Sequence, residues 1–274
     1  MSYKTILVHA ESNPAAAPRL DTAAAVARRF DANLVGLGAE MLDWVGVSDP
    51  YGMMAADWLT VMREQMELDL TAAEARFNTH AEGARHSWLR VMDPPAQAMA
   101  RLARSADLIV TGGAPLSDRT SRFTADPADL ALLSGRPVLV APPTGGDLRA
   151  SQIVIAWKDS RESRRAVADA LPFLKRAEDV VVMEVCDADQ PGDAQYRTSD
   201  VVEHLKRHGV KARPLVKVAV PERVSIELNS EAQAIGADLI VAGAYGHNRL
   251  QEWVLGGVTY DLLHSPERFV LLSH

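Results

Sequence analysis

The chain repeats itself. Ala106-Asp107-Leu108-Ile109-Val110 returns as Ala237-Asp238-Leu239-Ile240-Val241, an offset of 131 residues. The same offset carries Gly112 onto Gly243 and Pro137-Val138-Leu139-Val140 onto Arg268-Phe269-Val270-Leu271. Near the front, Ile6-Leu7-Val8 matches Ile153-Val154-Ile155 at an offset of 147, so the first copy holds 16 extra residues, placed between Ala39 and Leu70. Such a duplication constrains the fold: one unit must close a core in about half of the 274 residues, and do so twice.

Both copies show one order of elements. In the first copy, strands are expected at Thr5–His9, Asn33–Gly38, Arg85–Val91, Leu108–Thr111 and Val138–Ala141. Helical stretches separate them at Pro18–Phe30, Asp57–Ala81, Pro95–Ser105 and Asp126–Leu133. In the second copy the strands are Gln152–Trp157, Val180–Cys186, Lys211–Val218, Leu239–Gly243 and Phe269–Leu272. Its helices are Glu162–Arg176, Thr198–His208, Pro221–Ile235 and Thr259–His264. Runs such as Leu108-Ile109-Val110 are apolar on both faces, which suits a sheet covered by helices on both sides. Strict strand–helix alternation argues an α/β fold with a parallel sheet and right-handed crossovers. Pro142-Pro143-Thr144-Gly145-Gly146-Asp147 falls at the repeat junction and reads as a linker, giving expected domains at 1–143 and 150–274.

Composition excludes some classes. Hydrophobic residues make up 47%, enough for a packed core rather than a disordered chain. A net charge of −7 argues against nucleic-acid binding, which needs a basic face. The cluster Arg161, Arg164, Arg165 reads as a solvated helix face. The single cysteine, Cys186, cannot staple a fold and reads as a small core residue at a strand end. No charged leader precedes the first strand, and no apolar run reaches the ~20 residues of a membrane helix. The expectation is a soluble cytoplasmic protein without membrane or nucleic-acid partners.

The most specific local signal runs from Gly243 to Thr259, Gly-Ala-Tyr-Gly-His-Asn-Arg-Leu-Gln-Glu-Trp-Val-Leu-Gly-Gly-Val-Thr, directly after an apolar strand. Gly243, Gly246 and Gly256 fall on the three glycines of G-x2-G-x9-G-[ST], the motif of the universal stress protein family. With the duplication, the whole chain resembles a tandem member of that family. The resemblance implies two doubly wound units of the adenine-nucleotide alpha-hydrolase-like type. Each would hold a five-stranded parallel sheet of order 3-2-1-4-5. It also implies pairing through the last strands, either between the two halves or across chains, and a homodimer. Many members bind ATP; others keep stress-related roles without nucleotide.

Transferred residue by residue, the resemblance points to a site in the second copy: Ala156, Lys158, Asp159, Val185, Gly243, Gly246, His247, Gly256, Gly257, Val258 and Thr259. Phosphate must reach backbone N–H groups with no Cβ in the way, and a helix starting near Val258 would aim its positive end at the anion. Two details depart from the motif. Gly257 stands where the family has Ser or Thr, with Thr259 two residues on as the substitute hydroxyl. Lys158 stands where the family has Asp, so it either attracts a phosphate or is an exposed lysine, and Asp159 is left to shift into the Asp role. ATP or another adenine nucleotide, with Mg²⁺, is therefore expected in the C-terminal domain only.

The first copy is not expected to hold ATP. There Pro115, Ala125 and Asp126 replace the later motif positions and Glu11 takes the ribose position. Asp126-Pro127 reads instead as an N-cap followed by an N1 proline. The insertion contributes a Met- and Trp-rich run, Met41, Leu42, Trp44, Val45, Val47, Tyr51, Met53, Met54, Trp58, Leu59, Val61, Met62 and Met66. It reads as a helical lid completing the core or a dimer contact, with a flap over an apolar ligand as the alternative.

No nucleophile elbow or triad spacing appears, so no catalytic residue is assigned. His80 with His86, and His204 with His208 at a two-His helical spacing, lack a third ligand nearby and read as surface histidines. The leading reading is a stress-response binding or sensor protein. The alternatives are a nucleotide-free interaction module for an apolar ligand or protein, and a slow nucleotide hydrolase.

Overall fold

The computed structural model describes residues 2–41, 55–113, 124–220, 223–244, 261–263 and 267–274. Among the described residues, ten strands form one sheet: β1 (Thr5–His9), β2 (Asn33–Ala39), β3 (His86–Val91), β4 (Leu108–Gly112), β5 (Val138–Ala141), β6 (Gln152–Ala156), β7 (Asp179–Cys186), β8 (Ala212–Val218), β9 (Leu239–Gly243) and β10 (Phe269–Ser273). Their order is β3-β2-β1-β4-β5-β10-β9-β6-β7-β8. Each half is thus a 3-2-1-4-5 arrangement of parallel strands. The halves meet where β5 and β10 pair antiparallel, Val138 opposite Leu272 and Val140 opposite Val270.

Among the described residues, the sheet is covered by α1 (Ala17–Phe30), α2 (Ala55–His80), α3 (Pro95–Leu102), α4 (Pro127–Leu133), α5 (Arg161–Leu174), α6 (Pro191–Arg207) and α7 (Val224–Ala234). Strand side chains alternate between two cores. Ile6, Val8 and Val110 point to one that α1, α2, α5 and α6 complete with Leu20, Phe77, Phe173 and Leu205. Leu7 and Ile109 point to the other, completed from α3, α4 and α7 by Met99, Leu130 and Leu228, with Leu263. Both cores continue across the β5–β10 seam.

Side chains lock the seam. The Tyr3 hydroxyl donates to the Asp169 carbonyl at 2.6 Å, and the Phe30 and Phe173 rings meet edge-on at 5.1 Å. Arg176 stacks over Phe30, 4.6 Å from its centroid, and donates to the Arg29 carbonyl at 2.7 Å. Arg29 reaches back over Phe173 at 5.8 Å and donates to the Leu148 carbonyl at 3.0 Å. Arg29 and Arg176 are related by the 147-residue repeat and each covers a ring of the other half, although Phe30 and Phe173 are not themselves repeat partners.

The repeat predicts these elements closely, with differences at helix starts. α6 begins at Pro191, seven residues ahead of the expected Thr198. Pro-Gly reads as a turn, yet Pro191 occupies the first turn, where its missing N–H costs no bond, and Ala194 and Thr198 seat that turn in the core. The expected Asp126 cap is present: its carboxylate accepts from the Ala128 N–H at 2.8 Å, and Pro127 opens α4. The expected last helix lies mostly outside the described residues, with 261–263 helical.

Residues 42–54 of the insertion lie outside the described residues as well. Beyond them α2 runs 26 residues against 17 in α6. Met66, Leu70, Ala73 and Phe77 line one buried stripe of α2, while Val61 and Leu68 face outward. Gly36 makes room for that stripe: a Cβ there would sit 2.6 Å from the Phe77 ring. The later part of the insertion thus completes the core. Among the described residues, no helix is long and apolar enough to cross a membrane.

Candidate functional site

In each half the carboxyl ends of the first and fourth strands lie side by side where the chain reverses its order. This is the crevice in which open α/β sheets take ligands. In the second half, β6, β7 and β9 bring Ala156, Val185 and Gly243 to that edge, with Lys158 and Asp159 in the turn that follows β6. Ala156 and Val185 are half-buried, Lys158 and Asp159 exposed. The other expected positions, Gly246, His247, Gly256, Gly257, Val258 and Thr259, lie outside the described residues.

The turn after β6 is closely tied. The Trp157 N–H continues the ladder to the Met183 carbonyl at 2.8 Å. The Ser160 N–H then turns back to the Lys158 carbonyl at 2.7 Å. Ser160 caps α5, its hydroxyl accepting from the Ser163 N–H at 3.2 Å. Gly243 presses on this cap. A Cβ at residue 243 would lie 2.6 Å from the Ser163 nitrogen and 2.7 Å from the Glu162 carbonyl carbon, both backbone atoms that cannot swing aside. Only glycine lets β9 and the first turn of α5 approach this closely.

The carboxylates Asp159, Glu162, Asp169 and Glu184 near this edge are each paired with an arginine. Glu162 is buried beside Gly243. Burial pushes its carboxyl up, but bonds from Arg161, its own N–H and Ser160 outweigh that and hold it below the usual carboxylate range. Asp159 pairs with Arg164 at 2.6 Å and Arg165 with Asp169 at 2.8 Å, so each arginine of the expected basic cluster has an acidic partner. Arg197 holds the buried Glu184 through both nitrogen arms, Nε at 3.1 Å. Cys186 closes β7 as a buried thiol whose pKa burial raises.

The first-half crevice is built otherwise. Arg19, from α1, donates through Nε to the His9 carbonyl at 3.0 Å and places Nη2 2.7 Å from Glu11. His9, 1% exposed, sets Nδ1 3.3 Å from the same carboxylate. The other guanidinium arm lies at Gly112, where a Cβ would come 3.4 Å from Nη1. The guanidinium therefore spans the ends of β1 and β4. Burial pushes the Glu11 carboxyl up, yet the bond from His9 and the Arg19 charge pull it below its ordinary value. Glu11 was expected at this edge; His9 and Arg19 were not, and no local pattern in the sequence announces them. At the 147-residue offset His9, Glu11 and Arg19 become Ala156, Lys158 and Ala166, so the second half lacks all three.

A cleft of ≈ 470 Å³ lined by Asp147, Arg149, Ser151, Gln152, Gly236 and Asp238 opens at the opposite, amino ends of β6 and β9. There Asp238 accepts from the Arg149 and Ala150 N–H groups, as Asp107 accepts from Lys4 and Thr5 in the first half. The shared arrangement fixes the chain leading into each half. Of the sequence-stressed histidines, His80 meets Asp21 at 2.6 Å and His86 the Ala84 carbonyl at 2.9 Å.

A doubly wound sheet, repeated and joined through its last strands, with a glycine pressed on the helix cap at the switch point, defines a tandem α/β protein of doubly wound units. Residues 150–273 match the model of the Universal stress protein family. The match lies within the second unit, and the first unit repeats the same strand order. A curated universal stress protein of Methanocaldococcus jannaschii is 25% identical over 80 residues, which span 29% of this chain and 48% of that protein. Among solved structures, a universal stress protein from Archaeoglobus fulgidus superposes with a TM-score of 0.73 at 14% identity. That match covers 98% of this chain and 95% of the other. A protein of unknown function from Pseudomonas aeruginosa PAO1 gives 0.62 at 18% identity, covering 99% and 92%. At these identities the likenesses speak to the fold, and they extend over both halves.

Proposed function

We propose that the chain is a stress-response binding protein that holds an adenine nucleotide, with Mg²⁺, in the domain 150–274 and none in the domain 1–143. The reading is supported by the contrast between the two crevices. Arg19 and Glu11 close the first from within, whereas the equivalent positions in the second are Ala166 and the exposed Lys158. In this reading Ala156 and Val185 form the apolar wall for the base, and Lys158 attracts phosphate as a flexible point charge. Main-chain donors of Gly243, Gly246, His247, Gly256, Gly257, Val258 and Thr259, with the Thr259 hydroxyl, hold the phosphates. Asp159 is engaged by Arg164 and serves the ribose after exchanging that partner.

Calorimetric titration of the purified chain with ATP and Mg²⁺ tests this. The expected result is one equivalent bound per chain, no phosphate released, and binding lost in Gly246→Val while the fold persists. Absence of heat for the unaltered chain would leave the nucleotide-free interaction module. Steady phosphate release would favour the slow hydrolase.

A further inference from the structure

We propose that His204 and His208 form a surface site for a divalent transition-metal ion of the Cu²⁺, Ni²⁺ or Zn²⁺ class, on the last turn of α6. The i, i+4 spacing puts both rings on one helix face, and the structure brings them together: their centroids are 4.7 Å apart, with planes inclined at 64°. Both side chains are exposed, and neither ring has a hydrogen-bond partner among the described residues. Each therefore offers an imidazole nitrogen to one ion at the ~2.0–2.1 Å of a metal–histidine bond, without giving up a hydrogen bond to a described residue.

The backbone under the pair is fixed. Val201, Val202 and Leu205 are buried on the inward side of α6. The helix end is closed by Gly209 at φ +79°, with the Gly209 N–H bonded to the Lys206 carbonyl at 2.9 Å and the Val210 N–H to Leu205 at 3.1 Å. Two donors on one rigid turn bind a single ion with little loss of freedom. The carboxyl end of a helix is its negative pole and favours a cation there. Of the charged neighbours, Lys206 is neutralised by Glu203 at 2.7 Å, and Asp200 lies one turn below His204 on the same face; Arg207 adds an opposing charge. Among the described residues no three His, Cys, Asp or Glu side chains converge, so the two imidazoles are the protein's whole contribution and water fills the remaining positions. Two imidazoles in water suit copper best, in the usual order of divalent affinities.

The test uses the full chain titrated with Cu²⁺ at neutral pH, read by equilibrium dialysis and by electron paramagnetic resonance. One bound equivalent with a two-nitrogen signal is expected. His204→Ala and His208→Ala should each weaken it by about tenfold or more, while His80→Ala leaves it unchanged. Unchanged urea midpoints would show that the variants remain folded. No bound copper, a one-nitrogen signal, or wild-type affinity in both alanine variants would overturn the proposal.

Discussion

The two crevices of this chain share their strands, strand order and a glycine at the end of the fourth strand, yet they close by different means. At Gly112 the neighbour is the tip of a side chain, Arg19, itself tied to Glu11 and His9. At Gly243 the neighbour is backbone, the capped first turn of α5. After duplication, the same register has been filled once by a buried ion pair and once by main chain alone. Charge cannot be withdrawn from the first arrangement without stranding a partner, whereas the second depends on shape.

The sharpest way to break that comparison is Glu11→Ala. It leaves the buried Arg19 guanidinium without its carboxylate and should cost about 3–5 kcal/mol in urea unfolding. Lys158→Ala, at the matching position in the second unit, should change stability by less than about 0.5 kcal/mol because the residue is exposed. Equal losses at the two positions would mean that the crevices are alike after all. Next comes Gly243→Ala, which forces backbone apart and should cost about 1–3 kcal/mol. Gly112→Ala places its Cβ at an ordinary 3.4 Å contact with the Arg19 guanidinium and should cost about 0.5 kcal/mol or less. The reverse ranking would contradict the assignment of backbone to one contact and side chain to the other.

The smallest expected effect is a pH dependence. The Glu11 carboxyl titrates lower in the folded chain than in the unfolded one, so its stabilisation is complete above the ordinary carboxylate range. It is lost as pH falls through that range towards the folded value. Between about pH 5 and pH 3 the urea midpoint of the wild type should therefore drop more steeply than that of Glu11→Gln. Parallel curves would place the acid-sensitive group elsewhere, with Glu162 the next to examine.

Much of the fold is legible in the sequence. β1, β5 and β9 fall on their expected residues because short, wholly apolar runs bounded by polar residues have few other solutions. The start of α6 is hidden in the sequence because its first turn is polar and begins Pro-Gly, and only its packing through Ala194 and Thr198 makes it helical. At Gly243 the sequence marks a glycine after a buried strand as room for a phosphate, whereas the structure fills that room with the first turn of α5. The site is illegible where it depends on side chains meeting across the fold. Arg19 is one of many arginines, and nothing local joins it to His9 and Glu11 until β1 and α1 pack. His204 and His208 fall between these cases, since helical spacing predicts a shared face while ring contact requires the rotamers.

The antiparallel seam between β5 and β10 sets the direction in which the molecule faces. Strands run parallel within each half and reverse across the seam, so the two sets of carboxyl ends open on opposite edges of one continuous sheet. A ligand seated at one edge is out of reach of the other, and no single small molecule can bridge both. The two edges are joined through the β5–β10 ladder, the two shared cores, and the Tyr3–Phe30–Phe173 cluster with its crossed Arg29 and Arg176, so the halves of this two-faced molecule are pinned back to back.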